Sequence, residues 1–102
     1  MLISAPVDET AQVLADPLRA RIVSLLAAEA MCTCHLVDAL PAGQTTVSHH
    51  LRVLREAGWV RTEPRGRFTY YRLRPEPLEE LAARLGSLAQ AARTSPGRGR
   101  PC

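Results

Sequence analysis

Apolar residues in this 102-residue chain fall at helical spacing in most places and alternate strictly in one. In "ADPLRARIVSLLAAEA", Leu18, Ile22, Leu25 and Leu26 recur three and four apart, which marks a helix with one buried face. Asp16 suits the N-cap of that helix and Pro17 its first position. A short helix over 8–14 precedes it. Another over 33–40, with Leu36, Val37 and Leu40 apolar, follows it. Pro41, Ala42 and Gly43 then make a turn. "QTTVSHHLRVLREAG" resumes the helical period, with Thr45 or Thr46 able to cap it and Gly58 to end it. Val47, Leu51 and Leu54 share one side, while Ser48, His49, Arg52 and Arg55 point largely away. His50 lies between Val47 and Leu54 on the inner side, where a packed, hydrogen-bonded histidine is expected.

From Trp59 the period shortens to two. "WVRTEP" and "RFTYYRL" alternate apolar and polar residues on either side of Arg65-Gly66, which predicts a two-stranded hairpin with a basic tip. Pro75 restarts helix, and Leu78, Leu81, Leu85 and Leu88 form a stripe along it. A small chain buries a modest core, so such a stripe, with help from the first helix, predicts a dimer interface. "TSPGRGRPC" is rich in Pro, Gly and Arg and reads as a disordered tail. The expected division is one DNA-binding and dimerisation domain over 1–93 and a flexible tail over 94–102. Helix, short helix, turn, helix, hairpin, helix is the order of a winged helix-turn-helix: mostly α with a β-hairpin, and dimeric.

Composition adds a partner. Aromatics are only 4% of the chain against 46% apolar residues, so Leu, Val and Ala must build the core. The net charge is +3 and uneven: residues 44–74 hold seven Arg against two Glu, a net of +5. One basic segment in a mildly basic chain points to an anionic polymer. Every basic residue is Arg, which suits bidentate contacts to phosphate and guanine, although a genomic bias toward Arg accounts for the missing Lys equally well. No apolar run reaches membrane-spanning length, and the first residues lack the basic start and long apolar core of a signal peptide, so a cytoplasmic protein without membrane contact is expected. No nucleophile–base set, phosphate loop or dinucleotide fingerprint occurs. The chain is therefore not expected to be an enzyme or to hold a catalytic cofactor.

"QTTVSHHLRVLREAGWVRTEPRGRFTYYRL" resembles the core signature of the ArsR/SmtB family of bacterial metalloregulatory repressors, and "ADPLRARIVSLL" resembles the family's second helix. The thiol pair of "CTCHL" is similar to the metal box of its arsenic and cadmium sensors, with His35 where those carry Asp. The likeness covers roughly residues 7–88. It implies a homodimeric repressor that binds double-stranded operator DNA and releases it on binding an inducer ion: arsenite As(III) or Sb(III), or Cd(II). Cadmium, lead or organoarsenical sensing on the same fold and a ligand-independent DNA-binding module are the alternatives. The family's other zinc site uses His and carboxylates on the last helix, which here has three Glu and no His.

Two sets of residues carry this chemistry. Gln44, Thr45, Thr46, Ser48, His49 and Arg52 are hydrogen-bonding types on the face that would enter the major groove, and Arg65 and Arg67 would follow phosphates or the minor groove. Cys32 and Cys34 supply two thiolates, and Cys102 is the candidate third metal ligand, with His35 a weaker donor. The nine residues from Thr94 to Cys102 span roughly 15–18 Å as a coil and at most about 30 Å extended. Residues i and i+2 of a helix point about 200° apart, so one ion can hold both thiols only where the backbone is non-helical, and binding is expected to unwind, or forbid, the first turn of the helix beginning near Thr33.

Overall fold

The computed structural model describes residues 7–102, with side chains described from Thr10 onward. Residues 1–6, where a leader sequence would begin, lie outside the described residues. The element order is α1 (Val7–Gln12), α2 (Pro17–Ala28), β1 (Met31–Cys32), α3 (Thr33–Ala39), α4 (Gln44–Glu56), β2 (Val60–Arg65), β3 (Phe68–Leu73) and α5 (Pro75–Thr94). Helix α2 starts as its sequence dictates. The Asp16 carboxylate accepts from the N–H groups of Leu18 (2.9 Å) and Arg19 (3.1 Å), and Pro17 occupies the first turn, where a missing N–H costs nothing. Helix α1 is two residues shorter at its end than the 8–14 expected, and the chain after Gln12 forms turns.

The core fills the space between α2, α3, α4 and the start of β2. Ile22, Leu36, Val47, Leu51 and Leu54 are its most enclosed side chains, and Trp59, Val60 and Leu81 close it. Helix α4 begins one residue before the threonines expected to cap it. Its N-cap is Gly43, with no side-chain bond, so Thr45 and Thr46 stand exposed within the first turn. Its end is sharply defined. Gly58 has φ +79, Gly58 N–H donates to Arg55 O (3.0 Å), and Trp59 N–H donates to Leu54 O (2.9 Å). These are the paired bonds of a Schellman cap, and the Trp59 and Leu54 side chains complete it in the core.

Strands β2 and β3 pair antiparallel from Val60↔Leu73 to Arg65↔Phe68. The two-residue turn is therefore Gly66-Arg67, one position beyond the Arg65-Gly66 tip expected. Gly66 takes φ +63 and Arg67 does not share it, the pattern of a type II′ hairpin turn. A third strand joins the sheet. Strand β1 pairs with β3 through Met31↔Tyr71 and Cys32↔Tyr70, giving the order β1-β3-β2.

Helix α5 carries the leucine stripe, but the stripe divides. Leu81 is 6% exposed, inside the protomer's own core, while Leu85 and Leu88 are 50% and 58% exposed. Leu81 is thus unavailable to a partner, contrary to the continuous interface expected. The helix reaches Thr94, and residues 95–102 are exposed and without helix or strand. Among the described residues no helix is long and apolar enough to cross a membrane. The chain is a winged helix-turn-helix: α3 and α4 are the helix-turn-helix and β2–β3 the wing.

Candidate metal centre and nucleic-acid interface

The thiols lie where a strand becomes a helix. Cys32 ends β1, stands at the N-cap of α3 with φ −84 and ψ 168, and is buried at 3% exposure. Cys34 and His35 follow in the first turn of α3, both exposed. Ligand atoms of Cys32, Cys34 and His35 all lie within 4.8 Å of one another. Cys32 is extended rather than helical, so its sulfur lies toward that of Cys34 while α3 is regular from Thr33 in the ion-free protein. Two sulfurs and an imidazole nitrogen form a donor set suited to soft and borderline ions.

The two thiols are electrostatically unequal. Burial pushes the Cys32 thiol up, but the hydrogen bond from Cys34 and the N–H groups of His35 and Cys34 outweigh it, holding Cys32 below the usual thiol value. Cys34 is raised, first by that same bond with Cys32, then by burial and by the Cys32 charge. The lowered value of Cys32 favours its thiolate, the form that binds metal. The Cys32 N–H reaches toward His35 Nδ1 at 3.5 Å, holding the imidazole beside the pair. Cys102 is exposed at the chain end and does not belong to this group.

The second surface is the outer side of α4. Gln44, Thr45, Thr46, Ser48, His49 and Arg52 are all exposed, and Thr45, Ser48, His49 and Arg52 line one open groove. Arg52 Nη2 lies 3.5 Å from His49 Nδ1. His50 faces inward at 8% exposure, as the helical period requires. Its Nδ1 lies 3.4 Å from Arg19 Nη1 and its Nε2 3.7 Å from Asp16 Oδ1, which ties α4 to the start of α2. The Arg19 N–H is the main cause that holds the Asp16 carboxyl below its ordinary value; burial, the next largest effect, opposes it, and His50, the Leu18 N–H and the Arg19 guanidinium add smaller lowering effects.

The two wing arginines differ. Arg67, in the turn, is exposed and makes no hydrogen bond or ion pair among the described residues. Arg65 is engaged: its Nε and Nη2 donate to Glu63 Oε2 at 2.8 and 2.6 Å, and its guanidinium lies 4.3 Å from the Tyr70 ring centre. Glu63 also accepts from Arg72 at 3.4 Å. Sequence reasoning passed over Glu63 and Tyr70. They stand directly opposite each other across β2 and β3, a relation visible only once the turn is placed at Gly66-Arg67.

Residues 16–62 match the family described as bacterial regulatory protein, arsR family. A solved structure, of a possible transcriptional regulator for arsenical resistance, is 42% identical with a TM-score of 0.70, covering 78% of this chain and 82% of that one. The chain belongs to the ArsR family. An arsenic resistance transcriptional regulator of Pseudomonas putida is 42% identical over 79 residues, 76% of this chain and 62% of that relative. The solution structure of the homodimeric winged helix-turn-helix DNA-binding domain of a possible ArsR-family regulator from Mycobacterium bovis is 26% identical, with a TM-score of 0.65, covering 92% of this chain and 87% of that one.

Proposed function

We propose that this ArsR-family protein is a homodimeric transcriptional repressor that binds operator DNA when ion-free and releases it when trivalent arsenic or antimony binds the thiolates of Cys32 and Cys34. The observation that carries this reading is the convergence of Cys32, Cys34 and His35 within 4.8 Å at the start of α3. That helix leads through residues 41–43 directly into α4. Trivalent arsenic takes three sulfurs. Cys102, on the extended tail of its own subunit or the partner's, would supply the third, whereas a monomethylated arsenical needs only two. The presence of His35 in the group favours a second reading, a cadmium or lead sensor with one nitrogen and two sulfurs.

In this reading Gln44, Thr45, Thr46, Ser48, His49 and Arg52 meet base edges and phosphates in the major groove, and Arg65 and Arg67 meet the backbone. Exposed Leu85 and Leu88 form the dimer face. The pairing would set two α4 helices about 34–36 Å apart, one turn of DNA. The protein acts in the cytoplasm, is not an enzyme, and uses residues 95–102, beyond the end of α5, as a mobile arm.

The test is DNA affinity, measured on a duplex selected from a random pool by the ion-free protein, across arsenite, antimonite, cadmium, lead and zinc. Arsenite and antimonite should release DNA. Cys32→Ser and Cys34→Ser, singly, should keep DNA affinity and lose the response. Cys102→Ser should need much more arsenite yet respond normally to a two-thiol arsenical. DNA affinity indifferent to every ion would instead identify a ligand-independent DNA-binding module.

A further inference from the structure

The thiol group and the wing share one side chain. Residues directly opposite in paired strands project to the same face of a sheet. The registers Cys32↔Tyr70 and Tyr70↔Glu63 therefore place Cys32, Tyr70 and Glu63 in one row across β1, β3 and β2. Contacts extend that row at both ends. The His35 ring meets the Tyr70 ring edge to face, with centres 5.9 Å apart and planes at 74°. The Arg65 guanidinium lies over the same ring at 4.3 Å. Arg65 is held there by Glu63, which Arg72 holds in turn. A member of the thiol group and a basic residue of the wing thus lean on a single aromatic ring.

We infer that Tyr70 is a positioning residue that couples ion binding at Cys32, Cys34 and His35 to the order of the wing. The inference rests on the reading of that group as the inducer site and adds the path by which the site acts. A divalent ion held by two thiolates and a neutral imidazole leaves the group without added net charge, so it acts on the ring through the position of His35. Drawing His35 toward the sulfurs removes the edge contact that fixes the Tyr70 ring under Arg65. That loosens Arg65 and the hairpin that presents Arg67. This path runs along the sheet and differs from a tilt of α4 passed on through residues 41–43. The Tyr70 hydroxyl makes no hydrogen bond among the described residues, so the ring alone carries the coupling and Phe should replace it.

The test uses the full chain, cadmium(II) alone as the probe, and the selected duplex. Thiolate-to-cadmium absorbance reads ion binding, and fluorescence anisotropy reads DNA affinity. Allosteric couplings commonly amount to about 5- to 150-fold, so cadmium should cost the parent roughly tenfold or more in DNA affinity. Tyr70→Phe should behave like the parent. Tyr70→Leu should bind cadmium with the parent's absorbance but, lacking the ring that orders Arg65, should start from the weakened DNA affinity of the cadmium-bound parent and lose less than about threefold more on cadmium, below the usual range of coupling. A full parental response in Tyr70→Leu overturns the coupling and leaves the sensor reading standing. A parent that binds cadmium and keeps its DNA overturns both, before any variant is needed. A parent with no cadmium absorbance overturns the coupling, which requires His35 to be engaged, and leaves the arsenic reading to its own titration. Should Tyr70→Leu not fold, fluorotyrosine NMR of the parent decides: the Tyr70 signal, assigned with Tyr70→Phe, should shift on cadmium, and a signal that stays in place overturns the coupling.

Discussion

The divided leucine stripe of α5 makes the proposed dimer open to a quantitative test. Leu85 and Leu88 are 50% and 58% exposed, so each has about half its side chain left to bury. Full burial of a leucine stabilises by about 1.5–3 kcal/mol, and the remaining half by about 0.8–1.5 kcal/mol. A two-fold interface uses each residue twice, so in the proposed dimer these leucines would contribute about 3–6 kcal/mol to association. Leu85→Gln with Leu88→Gln should therefore raise the dimer dissociation constant by about 10²–10⁴-fold. Glutamine preserves size and helix propensity, and both sites are exposed in the protomer, so the fold should survive. Sedimentation velocity over a protomer concentration series reads the constant, with circular dichroism as a check on folding. Leu81→Ala is the contrast. It hollows the protomer core and should cost about 2–5 kcal/mol of fold stability whatever the oligomeric state. A dissociation constant unchanged by the double glutamine variant would refute the reasoning and move the interface elsewhere, with α1, which packs on α5, the next place to look.

Gly58→Ala should destabilise the protein by about 1 kcal/mol in urea unfolding. Forcing alanine to φ +79 costs roughly 1–2 kcal/mol, partly offset by a less flexible unfolded chain, and the new Cβ would meet Arg74 Nη1 only at an ordinary 3.5 Å. Arg52→Ala should cost about 1–3 kcal/mol of operator affinity and relax preference at one base position. Arg67→Ala should weaken binding to all sequences alike and flatten the salt dependence, because a lost phosphate contact carries no base information; equal affinity at every salt concentration would remove Arg67 from the interface. Arg65, then Arg72, holds the Glu63 carboxyl below its ordinary value. A depressed carboxylate contributes stability above its unfolded pKa and loses that contribution as pH falls through the lower folded value, so the wing staple should be intact at neutral pH and open only in acid. The Glu63 carboxyl resonance followed through an acid titration should show this, with Arg65→Gln moving its midpoint upward.

Most of the fold was legible in the sequence because its cues are local and agree. Asp16-Pro17 fixes the start of α2, Gly58 fixes the end of α4, and the change of period at Trp59 marks the wing. The inward placement of His50 followed from spacing alone. The departures arise where tertiary pairing decides. Strand β1 is only Met31–Cys32, too short to show an alternating pattern, and it exists because β3 has a free edge. The turn fell one residue late because only the Arg65↔Phe68 pairing distinguishes Gly66-Arg67 from Arg65-Gly66. Leu81 sits at the same helical spacing as Leu85 and Leu88, and periodicity cannot separate a leucine under its own core from two beyond its edge. The same limit governed the thiols. Their spacing would oppose the sulfurs if both residues were helical, and only the end of β1 at Cys32, one residue before α3, shows the extended backbone that lets the sulfurs approach.

The position of Cys32 bears on how sensing could be added to this fold without disturbing it. An N-cap residue keeps extended backbone dihedrals, and its side chain points back over the exposed N–H groups of the first helical turn. In α2 that place is filled by Asp16, which does nothing but cap and pair. In α3 it is filled by a thiol, and the same N–H groups that would meet a capping oxygen instead help hold that thiol toward its anionic form. A helix start thus offers a soft ligand both a suitable backbone conformation and a lowered proton affinity, with Cys34 and His35 in the next two residues close enough to share an ion. Serine is a favoured N-cap whose hydroxyl can accept from the same N–H groups, so the fold should tolerate it at this buried position. The capping role and the proposed ligand role of residue 32 are therefore separable by one substitution, and loss of the ion response with retention of DNA binding would measure the ligand role alone.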